Sequence, residues 1–531
     1  MVKTVLINLG KHREYEQIDE GLGLASVGLE SIATHLKNNG EEVLVIDQAM
    51  NGLDSEEILK QIIEQKPDHI GLNPLINFRK ESGKIARKVK ERSPKTTIII
   101  GGYDATFLSL DHPLYEFIDV IVRGKGEVPL LKLAQGRKLE EIQGIAYRTE
   151  TKIIDNLEKR AESLLPENLP IPNRQNLEYL AERQEPVSIY ASCGCIYNCE
   201  FCSTPRFYPE GRVERKLEDV LEEIDFLADN GIKKFSFYDE DFFGVNKAAL
   251  ERATKIIEKI KERVGTITFS FITTQGIHQA EKYDLLHKWE GTVNRLYVGV
   301  EGGCDKALKG LGNDSCKRSE KNSKAINIIR NYNLGLHIGF IMFNAYSTFE
   351  ELNDSAQFLY AHNEAVNGIS FFHHLRPYKG TAMYDKLKKE GLLKEKEALS
   401  EIDLHSSLPY NFKKDLDEGN EKIKSFAKAI CPTSNEQEVS ESDRLSNEIY
   451  MGIVNLGYGK EIFNDNEAPE IVEKYRDIRK DISNLNYEFF NDSLKLFRDC
   501  EGEGFVERKE TYLVALGSYV SELKEIKKRV G

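Results

Sequence analysis

The chain has 531 residues, 40% of them hydrophobic and 30% charged, with a formal net charge of −14. That length exceeds one core and predicts two or three domains. The acidic balance argues against nucleic acid as the main partner, since phosphate binding needs a basic surface. No apolar run reaches the ~18 residues of a membrane span, and the opening residues lack the apolar length and cleavage site of a secretory signal, so a cytoplasmic location is expected.

The first 135 residues repeat one unit. Residues 3–9, 42–47, 69–75, 96–102 and 120–124 read as short buried strands, and amphipathic helical patterns separate most of them. Asp54 stands where it caps the second helix, with Glu57 three residues on. Gly40 and Pro67 punctuate helix ends. This alternation predicts a Rossmann- or flavodoxin-like parallel sheet wrapped by helices, with ligands at the carboxyl ends of its strands. Gly101–Gly102 directly follows the fourth of those strands, as a tight turn or as bare backbone that a ligand can approach. No G-x-G-x-x-G follows the first strand, so a dinucleotide is not favoured. From Arg137 to Pro186 the pattern weakens; residues 144–148 suit one strand, and Pro166, Pro170 and Pro172 read as an extended connection.

Another buried strand then leads into "ASCGCIYNCEFCST", which holds four of the chain's eight cysteines. Cys195, Cys199 and Cys202 are spaced C-x3-C-x2-C, with Cys193 just ahead. On an ideal helix the outer two would lie about 10 Å apart along the axis, too far for one compact site. A loop curling through Gly194 and Asn198 can gather three thiolates. Structural zinc is the main rival, but it asks for a second paired motif, whereas Cys304, Cys316, Cys431 and Cys500 are scattered. Three ligands in one loop favour a [4Fe–4S] cluster with one iron left open to a cofactor or substrate.

This spacing, with Phe201 before the last cysteine, resembles the radical S-adenosylmethionine superfamily. Further phrases fit its strands: "KKFSFYDEDFFG" (233–244), "FITTQG" (271–276), "RLYVGVEGGCDKALKGLGN" (295–313), "LGLHIGFIMFNAYSTFEEL" (334–352) and "HHLRPYKGTAMYDKL" (373–387). Gly302 stands where relatives commonly have serine, and Asn344 to Glu350 departs from the usual G-x-P-x-E-T. The phrases "GLGLASVGLESIATHL", "GGYDAT" and "VRGKGE" resemble the cobalamin-binding domain that precedes the barrel in one large branch. The resemblance implies a cobalamin-binding domain over residues 1–136 and a partial (β/α) barrel over 187–395; the weakened pattern between them reads as a linker over 137–186, and beyond the resemblance the helical periodicity of segments such as "SFAKAICP" and "NDSLKLFRDC" predicts a helical domain over 396–531. The resemblance implies Cys195, Cys199 and Cys202 as the cluster ligands. It assigns Phe201, Asp239, Glu240, Asp241 and Glu301 to S-adenosylmethionine, and Asn73, Gly101, Gly102, Thr106, Gly124, Gly126 and Glu127 to cobalamin. The residues alone leave other readings: Asp239 to Asp241 suit simple helix capping, whereas Glu301 at the end of an apolar strand is costly unless partnered.

The D-x-H-x-x-G that supplies a histidine beneath cobalt is absent; its place reads Asn8-Leu-Gly-Lys-His12-Arg, so no protein nitrogen is expected there. The activity implied is methylation of an unactivated carbon or phosphorus centre in a small-molecule or peptide substrate, with an electron donor such as flavodoxin or ferredoxin. Rivals are a non-methylating rearrangement or oxidation, and a cluster-bearing redox or sensor protein. A methylthiotransferase is disfavoured, because residues 1–192 contain no cysteine for a second cluster.

Overall fold

In the computed structural model of the chain, which describes residues 2–9, 26–73, 78–107, 110, 112, 115–155, 162–164, 168–174, 176–312, 319–332, 334–364, 368–371, 373–394, 422, 469–500 and 503–530, the repeated unit folds as one sheet. Its strands β1 (Lys3–Asn8), β2 (Glu42–Asp47), β3 (His69–Leu72), β4 (Thr97–Ile100) and β5 (Val120–Val122) are parallel and lie in the order β2-β1-β3-β4-β5. Two antiparallel strands, β6 (Ile145–Arg148) and β7 (Ile153–Asp155), extend it. This is the flavodoxin order, whose direction reverses between β1 and β3, where ligands bind. The strands read as continuous apolar runs because both faces are covered: Val5, Leu6 and Ile7 are all fully buried.

Helices α1 (Val27–Asn38), α2 (Ser55–Gln65), α3 (Arg79–Arg92), α4 (Tyr103–Phe107) and α5 (Glu127–Ala134) complete the domain. Leu29 and Leu36 of α1 pack with Leu130 and Leu133 of α5 over Leu6 and Val122 of the sheet. Asp54 caps α2 as its position predicts: its Oδ1 accepts the Glu57 N–H at 2.9 Å, and Glu57 Oε2 accepts the Asp54 N–H at 2.9 Å.

A second series follows: β8 (Val187–Ile189), the short pair β9 (Ser192–Cys193) and β10 (Val213–Glu214), β11 (Lys234–Phe237), β12 (Thr266–Thr273), β13 (Arg295–Glu301) and β14 (Gly335–Phe340). Five of these form a sheet in the order β14-β13-β12-β11-β8, the sequential winding of a partial barrel, while β9 and β10 make a separate antiparallel ladder. Helices α6 (Thr204–Phe207), α7 (Leu217–Asp229) and α8 (Lys247–Glu262) lie between them in the chain.

The chain forms two compact units, one of Met1–Asn198, Ser203–Ile272 and Tyr283–Leu296, the other of Cys199–Cys202, Thr273–Lys282 and Tyr297–Gly531. In the second, α9 (Phe349–Ala361) meets a long helical hairpin of α10 (Pro469–Cys500) and α11 (Phe505–Val530). Tyr360 of α9 stacks on Tyr487 at 4.4 Å and donates to Asn484 at 2.8 Å. Phe489 stacks on Tyr512 at 4.1 Å, and the Tyr512 hydroxyl donates to Asn486 at 2.8 Å, which locks the hairpin. The expected C-terminal helices thus appear for residues 469–500 and 505–530; "SFAKAICP", Cys316 and Cys431 lie outside the described residues.

Within the first unit, Arg174 joins the two series. Its guanidinium donates to Glu30 of α1 at 2.5 Å, to Glu223 of α7 at 2.6 Å and to the Ser188 carbonyl at 2.6 Å. Glu223 also takes Arg215 at 2.7 Å. All four side chains are buried. Arg174→Ala removes a cationic partner from each of two buried carboxylates and is expected to lower unfolding stability by about 3–5 kcal/mol; a denaturant midpoint equal to wild type contradicts the role given to this network.

Candidate functional site

The cysteine loop starts from a buried carboxylate. Asp239, at the end of β11, accepts the Ala191 N–H at 3.0 Å, the Ser192 N–H at 2.5 Å and the Ser192 hydroxyl at 2.7 Å. Burial still pushes its pKa up to about 6, since the Ser192 and Ala191 hydrogen bonds only partly offset it. Cys193 then enters the β9–β10 ladder opposite Val213. Burial pushes its thiol up to about 12, and the Lys125 cation only partly offsets this. Gly194 has φ +80, and a Cβ there would lie 2.2 Å from the Gly211 carbonyl oxygen, so only glycine passes.

Cys195, Cys199 and Cys202 follow, each half-buried and outside any disulfide. The Cys202 N–H donates to the Cys199 carbonyl at 3.1 Å, closing a turn around the half-buried Phe201. The Glu200 carbonyl of that turn accepts the Met383 N–H at 2.9 Å, and Lys386 lies 3.7 Å from the Glu200 carboxylate. Gly312 leaves room for the same side chain, because a Cβ there would sit 2.1 Å from Glu200 Oε2. Among the described residues no group of three His, Cys, Asp or Glu side chains is gathered as one metal ion requires. A four-iron cluster asks for thiolates set wider apart, on a loop with a free side, and the donor set of three soft sulfurs fits it.

The three acids that end β11 have separate surroundings. Asp239 is consumed by the loop entry. Glu240 accepts the Tyr103 hydroxyl at 2.5 Å on Oε1 and the Gly194 N–H at 2.8 Å on Oε2. Asp241 Oδ1 accepts the Gly244 N–H at 3.2 Å, its buried Oδ2 has no hydrogen-bond partner, and burial pushes it up to about 6 against the Arg212 cation. Glu301 ends β13 at φ +64, and the Gly302 N–H donates back to the Val300 carbonyl at 2.9 Å. A non-glycine residue held in the left-handed region at a strand end is backbone strain of the kind that clusters at functional sites.

The first domain presents two glycine loops. The Thr106 hydroxyl joins them, donating to the Gly102 carbonyl at 2.7 Å and accepting the Gly124 N–H at 3.0 Å. Gly102 has φ +94, and a Cβ there would lie 2.2 Å from the Asn73 side-chain oxygen, so the loop itself excludes a side chain before any ligand arrives. Gly124 has φ +101 with no atom within 4 Å of a built Cβ, leaving bare backbone that a cofactor can approach. Asn73, Gly101, Gly102, Thr106 and Gly124 all lie beyond the carboxyl ends of β3, β4 and β5. Gly126 and Glu127 turn instead toward α1: a Cβ on Gly126 would lie 2.8 Å from Ile32, and Glu127 accepts the Ser31 hydroxyl at 3.1 Å. His12 lies outside the described residues.

Sequence reasoning passed over Tyr103, Lys125, Ser192, Phe207 and Tyr208. Tyr103 follows Gly102 directly; its ring stacks on Phe207 at 4.0 Å and meets Tyr208 edge-on at 6.1 Å, and Lys125 lies over the Tyr208 ring at 5.4 Å. The available signal was an aromatic residue immediately after the glycine pair.

Two sets of variants test this geometry. Asp239→Asn turns a donor toward the Ala191 and Ser192 amides at a cost of about 1–3 kcal/mol, and iron bound after anaerobic reconstitution is expected to fall. Cys193→Ala is expected to keep full iron and Cys195→Ala to lose it; the reverse pattern reassigns the ligands. Thr106→Val removes the hydroxyl shared by both glycine loops and is expected to weaken cobalamin uptake by about tenfold, with Thr106→Ser retaining it.

Two family models match the chain: Radical SAM superfamily over residues 189–359 and B12 binding domain over residues 21–134. An uncharacterized methyltransferase of Pyrococcus horikoshii is 25% identical over 69% of this chain and 79% of its own length. The anaerobic magnesium-protoporphyrin IX monomethyl ester cyclase of Synechocystis is 25% identical over 68% of this chain and 72% of its own. The solved structure of the cobalamin-dependent S-adenosylmethionine radical enzyme OxsB, with aqua-cobalamin and S-adenosylmethionine bound, superposes with a TM-score of 0.71 at 17% identity, covering 100% of this chain and 80% of that one. The two matched segments contain the glycine loops and the cysteine loop with its acidic strand end; the chain carries a B12-binding domain ahead of a radical SAM domain, and these imply a [4Fe–4S] cluster, S-adenosylmethionine and cobalamin as its cofactors.

Proposed function

We propose that this enzyme is a cobalamin-dependent methyltransferase acting on an unactivated carbon or phosphorus centre of a specialised metabolite. The observation that carries the reading is the bond between Tyr103, on the glycine loop of the first domain, and Glu240, at the acidic end of the barrel strand. A methyl group held by one cofactor has to reach a substrate activated by the other, and this bond ties the loops proposed to hold each. The methyltransferase relative, matched over most of its length, supports it further.

Bound in their loops, the cluster would supply the electron that cleaves S-adenosylmethionine and cobalamin would supply the methyl group. The chain's own residues bind and orient. Cys195, Cys199 and Cys202 would hold three irons and leave the fourth open. Glu240 has one donor on each oxygen and keeps a lone pair on each, so it can also accept the cofactor's amino group. Glu301 would face the same cofactor from the end of β13. Phe201, on the cysteine turn, would contact it as well. Asn73, Gly101, Gly102, Thr106 and Gly124 would carry the cobalamin tail, with Gly126 and Glu127 setting the pitch of α5 behind them. Residues 187–395 would form the barrel domain and 137–186 the connection to it.

A second reading, a rearrangement or oxidation without methyl transfer, is favoured by the cyclase among the relatives. Cys193, Cys195, Cys199, Cys202 and Cys304 form no disulfide, which suits a reducing cytoplasm with flavodoxin or ferredoxin as electron donor. No helix among the described residues is long and apolar enough to cross a membrane.

Methyl transfer is tested by product ratio. Methyl and radical come from different molecules of S-adenosylmethionine, so turnover with the true substrate is expected to release S-adenosylhomocysteine and 5′-deoxyadenosine in near-equal amounts and to require cobalamin. Release of 5′-deoxyadenosine alone by the cobalamin-loaded enzyme replaces this reading with the second.

A further inference from the structure

The Tyr103–Glu240 bond is also a connection between two binding events. Tyr103 is covalently next to Gly102, whose carbonyl is held by Thr106, so its backbone moves with the glycine loop of the first domain. Its ring is stacked on Phe207 at 4.0 Å, five residues past Cys202 in the chain. Its hydroxyl donates to Glu240 at 2.5 Å, and the other oxygen of Glu240 receives the N–H of Gly194 at 2.8 Å, one residue before the first cluster cysteine. Burial beside Glu240 holds the Tyr103 phenol well above its ordinary range, so it remains a donor at working pH. Lys125, on the other glycine loop, lies over the ring of Tyr208, the neighbour of Phe207. Both ligand loops of the first domain therefore reach residues that flank the cysteines in the chain, and Tyr103, Lys125, Gly194, Phe207, Tyr208 and Glu240 lie within one compact unit.

We infer that Tyr103 is a positioning residue that couples the two cofactor sites: cobalamin settling on the glycine loop fixes Tyr103, Tyr103 fixes Glu240, and Glu240 fixes the start of the cluster loop, so that S-adenosylmethionine binds more tightly. The inference rests on the proposal that both cofactors are used together. Its physical basis is ordering: once one ligand has fixed a shared set of side chains, the second no longer bears that entropy cost. Linkage makes the effect reciprocal, so S-adenosylmethionine tightens cobalamin by the same factor.

Tyr103→Phe is the test, because it removes the hydroxyl and keeps the stack on Phe207. Full-length wild type and variant are reconstituted anaerobically and their iron is counted. S-adenosylmethionine is then titrated against the reduced cluster by paramagnetic resonance, with and without hydroxocobalamin, and cobalamin uptake is followed by its absorbance. In wild type, cobalamin is expected to lower the half-saturating S-adenosylmethionine concentration by about tenfold, within the usual range of coupling between sites. In Tyr103→Phe, with iron content unchanged and cobalamin still bound, the two titrations are expected to coincide at the weaker value. A variant that keeps the wild-type ratio overturns the inference, as does a wild type whose two titrations already coincide. Loss of the cluster from Tyr103→Phe makes the bond a structural brace and also overturns it. A wild-type chain that holds its cluster and takes up no cobalamin overturns the methyltransferase reading along with the coupling.

Discussion

Two neighbouring carboxylates, each taken out of water, govern where the cysteine loop goes. A buried carboxylate is tolerable only where donors meet it. Asp239 finds three at Ala191 and Ser192, and Glu240 finds one at Gly194 and one at Tyr103. All but Tyr103 belong to the four residues that run up to Cys195. The departure of the loop from β8 is thus set by hydrogen bonds to β11, a strand nearly fifty residues later in the chain. The loop's far side is set independently: the Glu200 carbonyl answers to Met383, just after the "PYKGT" phrase, whose threonine caps the helix that supplies the donor. A loop of three thiols, otherwise free to curl in many ways, is held at both ends.

The same arrangement separates the four clustered cysteines by role. Cys193 lies in a β-ladder and is buried with a raised thiol, whereas Cys195, Cys199 and Cys202 are half-buried on the loop beyond Gly194. The positive φ of Gly194 and its contact with Gly211 mark the change from ladder to loop. Half-exposed thiols are the more available to a metal, and burial disfavours the thiolate form of Cys193.

The first domain works by a related economy. Its sheet is buried on both faces, so its ligand chemistry is confined to strand ends, and there glycine and one threonine do most of the shaping. Thr106 uses a single hydroxyl as donor to one loop and acceptor from the other. Tyr103, directly after the glycine pair, carries the loop's position into the neighbouring domain. The C-terminal hairpin serves a different purpose: its aromatic residues and asparagines lock it to itself and to α9, which stiffens the helical layer of the second unit.

The amino-acid sequence by itself determined the flavodoxin-like first sheet, the C-terminal helices and the capping box at Asp54, and its resemblance to a known family supplied the partial barrel. The first three follow from short covalent spacings: apolar runs alternating with 3.6-residue apolar patterns, and a cap three residues from its partner. What each acid in "DED" does was decided only by tertiary structure. Three adjacent carboxylates look alike in sequence, yet one holds the loop entry, one links two domains and one keeps an unpartnered buried oxygen. The Tyr103–Glu240 bond spans 137 positions and the Arg174–Glu30 pair 144. No local pattern encodes such partners. Their identity depends on which donors remain unsatisfied once the strands have packed, because burial, and not chain spacing, makes an unpaired polar group expensive.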